Sequence, residues 1–415
     1  MVIALTPPAD SPWLRPAEYW PSLQATTAEL DPPFGVISLP ALAHNAFDML
    51  RRAGGITIRV ASKSVRVRGV IDAVLALPGY SGVLAFTLAE ALWLAEGDDV
   101  HEGISDVVVG YPSVDRAAIR RLALDPLLAS RVTLMIDSID QLDYIDAVVA
   151  PADREQIRVC LELDASWNPA VLGHLGTFRS PVFTVLDVRA LAERIVARPG
   201  FTLVGMMAYE GQIAGLGNEP QSAVRGVAVR WIQRKSASEL AGRRAEAVAT
   251  VRAVADLEFV NGGGTGSLES TGAEPAITEM AAGSGLFGPH LFDHYRHFLP
   301  APAASFVLPV VRKPSPRMAT LLGGGWVASG PPAADRLPLV AWPEGTTMVG
   351  NEMAGEVQTP LTGETAARLA VGDRVWLRHT KAGELSEHLD GFTLVDDSRI
   401  VGTLPTYRGE GKAFL

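Results

Sequence analysis

A chain of 415 residues exceeds one ordinary compact domain unless that domain is a barrel, so a barrel plus a second domain fits its length. Hydrophobic residues at 48% and charged residues at 20% describe a globular enzyme, and a formal net charge of −10 argues against nucleic-acid or anionic-membrane partners. Cys160 is the single cysteine, the first ten residues lack a signal-peptide pattern, and no stretch is long and apolar enough to span a bilayer, so a cytoplasmic protein without disulfides is expected.

Residues 1–36 are rich in proline and aromatics and read as an extended N-terminal arm. Leu42, Ala46, Met49, Leu50 and Ala53 share one face of a helix over Leu39–Ala53, which Gly54-Gly55 ends. Strands are then predicted at Ile58–Ser62, Gly82–Thr87, Asp106–Gly110, Val132–Asp137, Ile157–Asp164, Thr202–Tyr209, Leu257–Asn261 and Glu279–Gly283. Helix-like segments such as Leu88–Glu96, Val114–Leu124 and Val224–Val254 lie between them. Short continuous apolar runs suit parallel strands buried on both faces, and eight of them are what a closed parallel α/β barrel needs. A doubly wound open sheet is the alternative. After about residue 300, proline and glycine punctuate short β-like runs at Phe306–Val311, Met318–Leu322, Arg374–Arg378, Phe392–Val395 and Ile400–Thr403. Strands without intervening helices predict a mainly antiparallel β domain. The expected organisation is therefore an arm (1–36), an α/β barrel (37–298) and a C-terminal β domain (299–415).

Lys63 follows the first predicted strand, Ile58–Ser62, at the end of a barrel where such folds place their chemistry. A lysine there is well placed to form an imine with pyridoxal phosphate; a solvated loop lysine is the alternative. The run Asn261-Gly262-Gly263-Gly264-Thr265-Gly266-Ser267 follows strand seven, and Ala282-Gly283-Ser284-Gly285 follows strand eight. Consecutive glycines let backbone N–H groups converge on an anion, and barrels often hold phosphate in these two loops. Either run alone reads equally as a flexible turn; the two together with Lys63 point to a phosphate-bearing cofactor.

The ordered segments PFGVISLPALAHNAFDML, IRVASKSVR, LELDAS, HLGTFRSP, LVGMMAYEGQ, NGGGTGS and TEMAAGSGLF resemble the fold-type III pyridoxal phosphate enzymes, and among them the D-threonine aldolase and D-serine dehydratase branch. The resemblance runs from about residue 35 to the C-terminus. It implies an alanine-racemase-like barrel followed by a β domain, in a homodimer. It makes Lys63 the Schiff-base lysine and assigns the cofactor phosphate to Gly263, Gly264, Thr265, Gly266, Gly283 and Ser284. Arg179 resembles the arginine that reaches the cofactor's phenolic oxygen, with a surface arginine as the equal alternative. Tyr209 is placed to face the pyridine ring or else to be a core tyrosine, and Gln212 stands where relatives often carry histidine. Arg59 flanks the lysine, and Asp137 and Asp164 are candidate partners between which the sequence does not choose.

The C-terminal segment Arg378-His379-Thr380-Lys381-Ala382-Gly383-Glu384 departs from the family pattern. Relatives usually hold a divalent metal through a histidine and, two residues on, an aspartate or cysteine. His379 matches, whereas Lys381 puts an ammonium, which cannot coordinate a metal, in the second place. Either Glu384 or Glu387 supplies a replacement carboxylate, or no metal binds and Lys381 provides the positive charge; the metal-free version is preferred. Tyr407 and Arg408 are candidates to meet a substrate carboxylate. The expected activity is a lyase, aldolase or dehydratase, acting on a β-hydroxy D-amino acid through Lys63, with His379 assisting at the β-hydroxyl. A racemase and a non-catalytic pyridoxal phosphate carrier are the alternatives.

Overall fold

The computed structural model describes residues 3–219, 222–331 and 333–415. The chain divides into two compact units. One comprises Met49–Ser62, Leu75–Ala282 and Phe414–Leu415; the other takes the residues up to Asp48, Lys63–Val74 and Gly283–Ala413.

The first unit contains a closed barrel of eight strands, Thr57–Ala61, Tyr80–Ala85, Val107–Val109, Val132–Ile136, Ile157–Glu162, Phe201–Ala208, Phe259–Gly262 and Glu279–Ala282. Every neighbouring pair is parallel, and the eighth strand closes on the first in the register Thr57↔Glu279 to Val60↔Ala282. Closure excludes the open doubly wound sheet. The strands are apolar because both faces are covered: Val108, Met135, Cys160, Val204, Met207 and Phe259 form one buried cluster drawn from five strands. Polar residues start the helices. Asp115 caps Arg116–Leu124 by accepting from the N–H groups of Ala117 and Ala118 at 3.0 Å each, and Thr184 and Asp187 form a reciprocal cap on Val185–Val196. Gly54 and Gly55 end the helix Leu39–Ala53 with φ of 62° and 94°, a region that favours glycine.

Arg59 is 2% exposed on the first strand and pairs with neither Asp137 nor Asp164. Its guanidinium instead grips Glu279 of the eighth strand at 2.8 and 2.9 Å and Asp106 at 2.8 Å. Asn261 donates to the same Glu279 carboxylate at 2.8 Å. This pairing follows from barrel closure, which makes strands one and eight neighbours.

The second unit is built on a nine-stranded sheet. The stretch expected to be an extended arm instead carries the helix Pro16–Thr26 and the strand Phe34–Ser38. Proline at the first helical position explains the helix start, because its missing N–H would have no partner there anyway. Arg374 holds the helix end by donating to the carbonyls of Thr27 and Leu30, each at 2.6 Å. Phe34–Ser38 pairs antiparallel with Ala304–Ser315 and parallel with Gly391–Asp396. The other pairings in this sheet are antiparallel. The early aromatics therefore belong to the core of this unit: Trp20 lies 5.9 Å and Phe34 6.2 Å from the buried Trp376 ring.

Candidate active site

In a parallel barrel all carboxyl ends share one rim, and Lys63, Arg179, Tyr209, residues 263–266, Gly283 and Ser284 each follow a barrel strand in the chain. Lys63 lies two residues past the first strand, in the short 3-10 turn Ser62–Ser64. Its backbone is tightly held. The Lys63 carbonyl accepts from Arg66 Nε at 3.0 Å, Arg66 itself pairs with Glu387, and the Arg66 carbonyl accepts the Tyr407 N–H at 2.9 Å. Arg66 adopts φ 52°, an uncommon conformation for a residue with a side chain and one that costs of order 1–3 kcal/mol. Ser386 donates to the Val65 carbonyl at 2.7 Å. These contacts fix the loop on which the lysine stands.

Around the fifth and sixth strands, three aromatic and charged groups converge. The Arg179 guanidinium lies 4.8 Å from the centroid of the Tyr209 ring and 5.3 Å from that of Tyr111. A cation against an aromatic face is held in place by the ring quadrupole. Burial pushes the Tyr209 hydroxyl up to about 12, with Arg179 opposing. Glu162, the last residue of the fifth strand, is 4% exposed; burial raises its carboxyl to about 7, and Arg179 moderates the rise while Asp137 and Asp164 add to it. Glu162 and Tyr111 were not singled out from sequence. The available signal was a charged residue ending an apolar strand in LELDAS.

The turn after the seventh strand is the one expected to hold a phosphate. Gly263 has φ 76°, and a Cβ on Gly264 would lie 3.0 Å from the Ala214 Cβ and 3.2 Å from the Tyr209 ring, pressing on both. Glu210, which follows Tyr209, is 1% exposed. Its carboxylate accepts from the Gly263 N–H at 3.1 Å, the Ser267 hydroxyl at 3.0 Å and the Thr271 hydroxyl. The Gly264 N–H in turn donates to the Ser267 oxygen at 3.2 Å. The donors of Gly263 and Gly264 thus shape the turn from within. Thr265 is buried, and its carbonyl accepts from Arg52 at 2.7 Å. Gly283 and Ser284 open the short helix Ser284–Phe287 directly after the eighth strand. Gln212 donates to the Ala165 carbonyl at 2.7 Å and the Ser236 hydroxyl at 2.8 Å, leaving its buried oxygen without a partner.

In the β unit, His379 directly follows the strand Arg374–Arg378 and is 1% exposed. Neither ring nitrogen meets a partner in hydrogen-bond geometry, although the Ala304 backbone lies near enough to favour the charged form slightly. Burial holds the imidazole well below its ordinary value, with Glu384 opposing, so the ring is neutral near pH 7. The Glu384 carboxylate accepts the N–H groups of Thr380, Lys381 and Ala382 at 3.0, 2.7 and 2.8 Å. Burial opposes its ionisation, but His379 and these N–H groups hold it below its ordinary value. Lys381 reaches the Ser329 carbonyl at 3.5 Å.

These donors do not fit a divalent metal. Glu384 spends both oxygens on backbone, Glu387 is paired with Arg66, and Lys381 is cationic. Among the described residues no group of three or more histidine, cysteine, aspartate or glutamate side chains is arranged to hold a metal ion. Arg408 pairs with Asp390 at the surface, while Tyr407 is buried.

The chain is similar to known proteins. The family model for the alanine racemase N-terminal domain matches residues 37–289. The 3-hydroxy-D-aspartate aldolase of Paracoccus denitrificans is 28% identical over 262 residues, 63% of this chain and 61% of the aldolase, so the match spans about three fifths of that relative. The crystal structure of D-threonine aldolase from Filomicrobium marinum superposes with a TM-score of 0.75 at 20% identity, covering 92% of this chain and 96% of the other. D-threo-3-hydroxyaspartate dehydratase from Delftia sp. HT23 gives 0.67 at 18% identity, covering 92% and 98%. At these identities the structural likenesses establish the fold, a closed parallel barrel with a mainly antiparallel sheet. With the family model matching more than half its length, the chain belongs to the alanine racemase N-terminal-domain family of fold-type III pyridoxal phosphate proteins.

Proposed function

We propose that this protein is a pyridoxal-phosphate-dependent lyase acting on β-hydroxy D-amino acids without a divalent metal. The observation that carries the reading is His379, a buried neutral imidazole with neither nitrogen satisfied, beside a carboxylate already saturated by backbone. Bound pyridoxal phosphate supplies an electron sink for the pair left at Cα when a bond there breaks.

This chain's own residues do the rest. The turn 263–266, with Gly283 and Ser284, binds the phosphate, and Lys63 holds the cofactor and later returns a proton to Cα. Arg179, fixed against two tyrosine rings, keeps positive charge at the phenolic oxygen, and Tyr209 covers the turn. His379 takes the proton of the β-hydroxyl. In the aldolase direction the Cα–Cβ bond then breaks, giving an aldehyde and, after Cα protonation, glycine. Lys381 supplies the cationic charge that a metal provides elsewhere. In the dehydratase direction Lys63 takes the Cα proton, the hydroxyl departs with a proton as water, and hydrolysis of the enamine left behind gives a keto acid and ammonia.

The small substrate, the absence of nucleic-acid or membrane partners, a homodimer and a cytoplasmic setting complete the proposal. The net charge of −10 and the lone, fully buried Cys160 support it, and among the described residues no helix is long and apolar enough to cross a membrane. The test is to load purified protein with pyridoxal phosphate and offer D-threonine, D-threo-3-hydroxyaspartate and D-serine, with EDTA or with manganese. Aldehyde or keto-acid release that survives EDTA is expected. Release only with manganese overturns the metal-free claim, and loss of optical activity without cleavage makes the protein a racemase.

A further inference from the structure

Glu210 is a buried charge that the reaction does not use. It sits one residue past Tyr209 and gathers three donors of the glycine turn and its following helix: the Gly263 N–H, the Ser267 hydroxyl and the Thr271 hydroxyl. A carboxylate at 1% exposure needs a counter-charge, and Arg244 provides it at 2.9 Å. Arg244 is itself fully buried, on the long helix Ala223–Arg252, and is held by Glu274 at 2.7 Å and the Ala208 carbonyl at 3.1 Å. The chain of contacts thus runs from that helix, through Arg244 and Glu210, into the backbone of the turn.

The placement is specific. Gly263 stands in the left-handed region, which glycine adopts readily, and its N–H is one of the donors fastened to Glu210. Ser267 both donates to Glu210 and accepts from the Gly264 N–H, so the carboxylate fixes the two ends of the turn at once. Arg52 adds a second anchor, donating to the Thr265 carbonyl at 2.7 Å while paired with Glu269.

We infer that Glu210, clamped by Arg244, is a positioning residue that preorganises the 263–267 turn to receive the cofactor's phosphate. The inference rests on the pyridoxal phosphate reading above. A donor array built in advance binds more tightly than one ordered by its ligand. The effect therefore falls on the phosphate and spares the pyridine ring.

The test compares pyridoxal phosphate with pyridoxal, which lacks the phosphate, by fluorescence titration of wild type and Glu210→Gln. Glutamine keeps the shape and one acceptor but removes the charge and strips Arg244 of a partner. The expected result is about 10–100-fold weaker binding of pyridoxal phosphate, the range seen when partners one step removed from a bound ion are cut, with pyridoxal affinity unchanged. Arg244→Lys, which keeps charge but loses the fork, is expected to fall between and keeps the test usable if the first variant does not fold. Equal weakening of both ligands, or none, in a variant with native circular dichroism overturns the inference. Failure of wild type itself to bind pyridoxal phosphate overturns the underlying reading instead.

Discussion

Two turns in this molecule each enclose a carboxylate, and they treat their polar groups in opposite ways. In the barrel, Glu210 accepts from Gly263, Ser267 and Thr271 and is neutralised by Arg244. In the β unit, Glu384 likewise accepts three N–H groups, yet the neighbouring His379 is left with both ring nitrogens unpartnered. A buried polar group without a partner costs about 1–3 kcal/mol; in the first network it falls on the Arg244 Nε, away from the turn itself, whereas in the second it falls on the imidazole. Saturated polar groups suit a binding cradle, which must hold one shape. An unsatisfied imidazole suits a group that waits for a proton.

The largest test of that division removes the anchor of the chemistry itself. Lys63→Ala in protein loaded with pyridoxal phosphate should lose the visible absorbance band of the lysine-bound cofactor and all turnover. The phosphate turn, lying after strand seven, should still take up the cofactor. A variant that keeps an unchanged visible band, still bleached by borohydride, would remove Lys63 from its role. Next in size is His379→Phe. Turnover should fall by about 10²–10⁴-fold, the usual contribution of a positioned acid–base group. Its urea midpoint, however, should hold or rise, because the substitution deletes an unsatisfied polar group. Loss of stability with no loss of turnover would make His379 a structural residue and would erase the contrast between the two turns.

Much of the barrel was legible in the sequence because parallel strands buried on both faces leave continuous apolar runs, and all eight were placed within a few residues. The β unit was harder. Phe34–Ser38 was missed because the prolines and aromatics before it suggested an arm, whereas its partners Ala304–Ser315 and Gly391–Asp396 lie hundreds of residues away. Short edge strands such as Thr347–Met348 carry no periodic signal at all. At the site, glycine runs and a strand-end lysine can be seen locally. The partners of Arg59 and the grip of Arg244 on Glu210 cannot, since each depends on elements brought together by closure or by a helix far along the chain.

The smallest expected effect is one of sign. Glu162 has a folded value of about 7 against an ordinary 4.5, so the stability tied to its protonated form is fully present below the unfolded value and is lost as pH rises through about 7. His379 runs the other way: its value is lowered from 6.5, so its contribution is present above the unfolded value and is lost as pH falls through the lowered one. Urea midpoints between about pH 5 and pH 8 separate them, because each variant removes one slope. The two windows overlap below about pH 7 with opposite slopes, so Glu162→Gln should make stability rise more steeply toward neutral pH, while His379→Phe should remove that rise and leave the decline due to Glu162. If Glu162→Gln leaves the slope below about pH 7 unchanged, its carboxyl is ionised in the folded protein. Arg179 then balances it as a full ion pair, and the barrel rim presents a fixed charge where a proton-holding acid is expected.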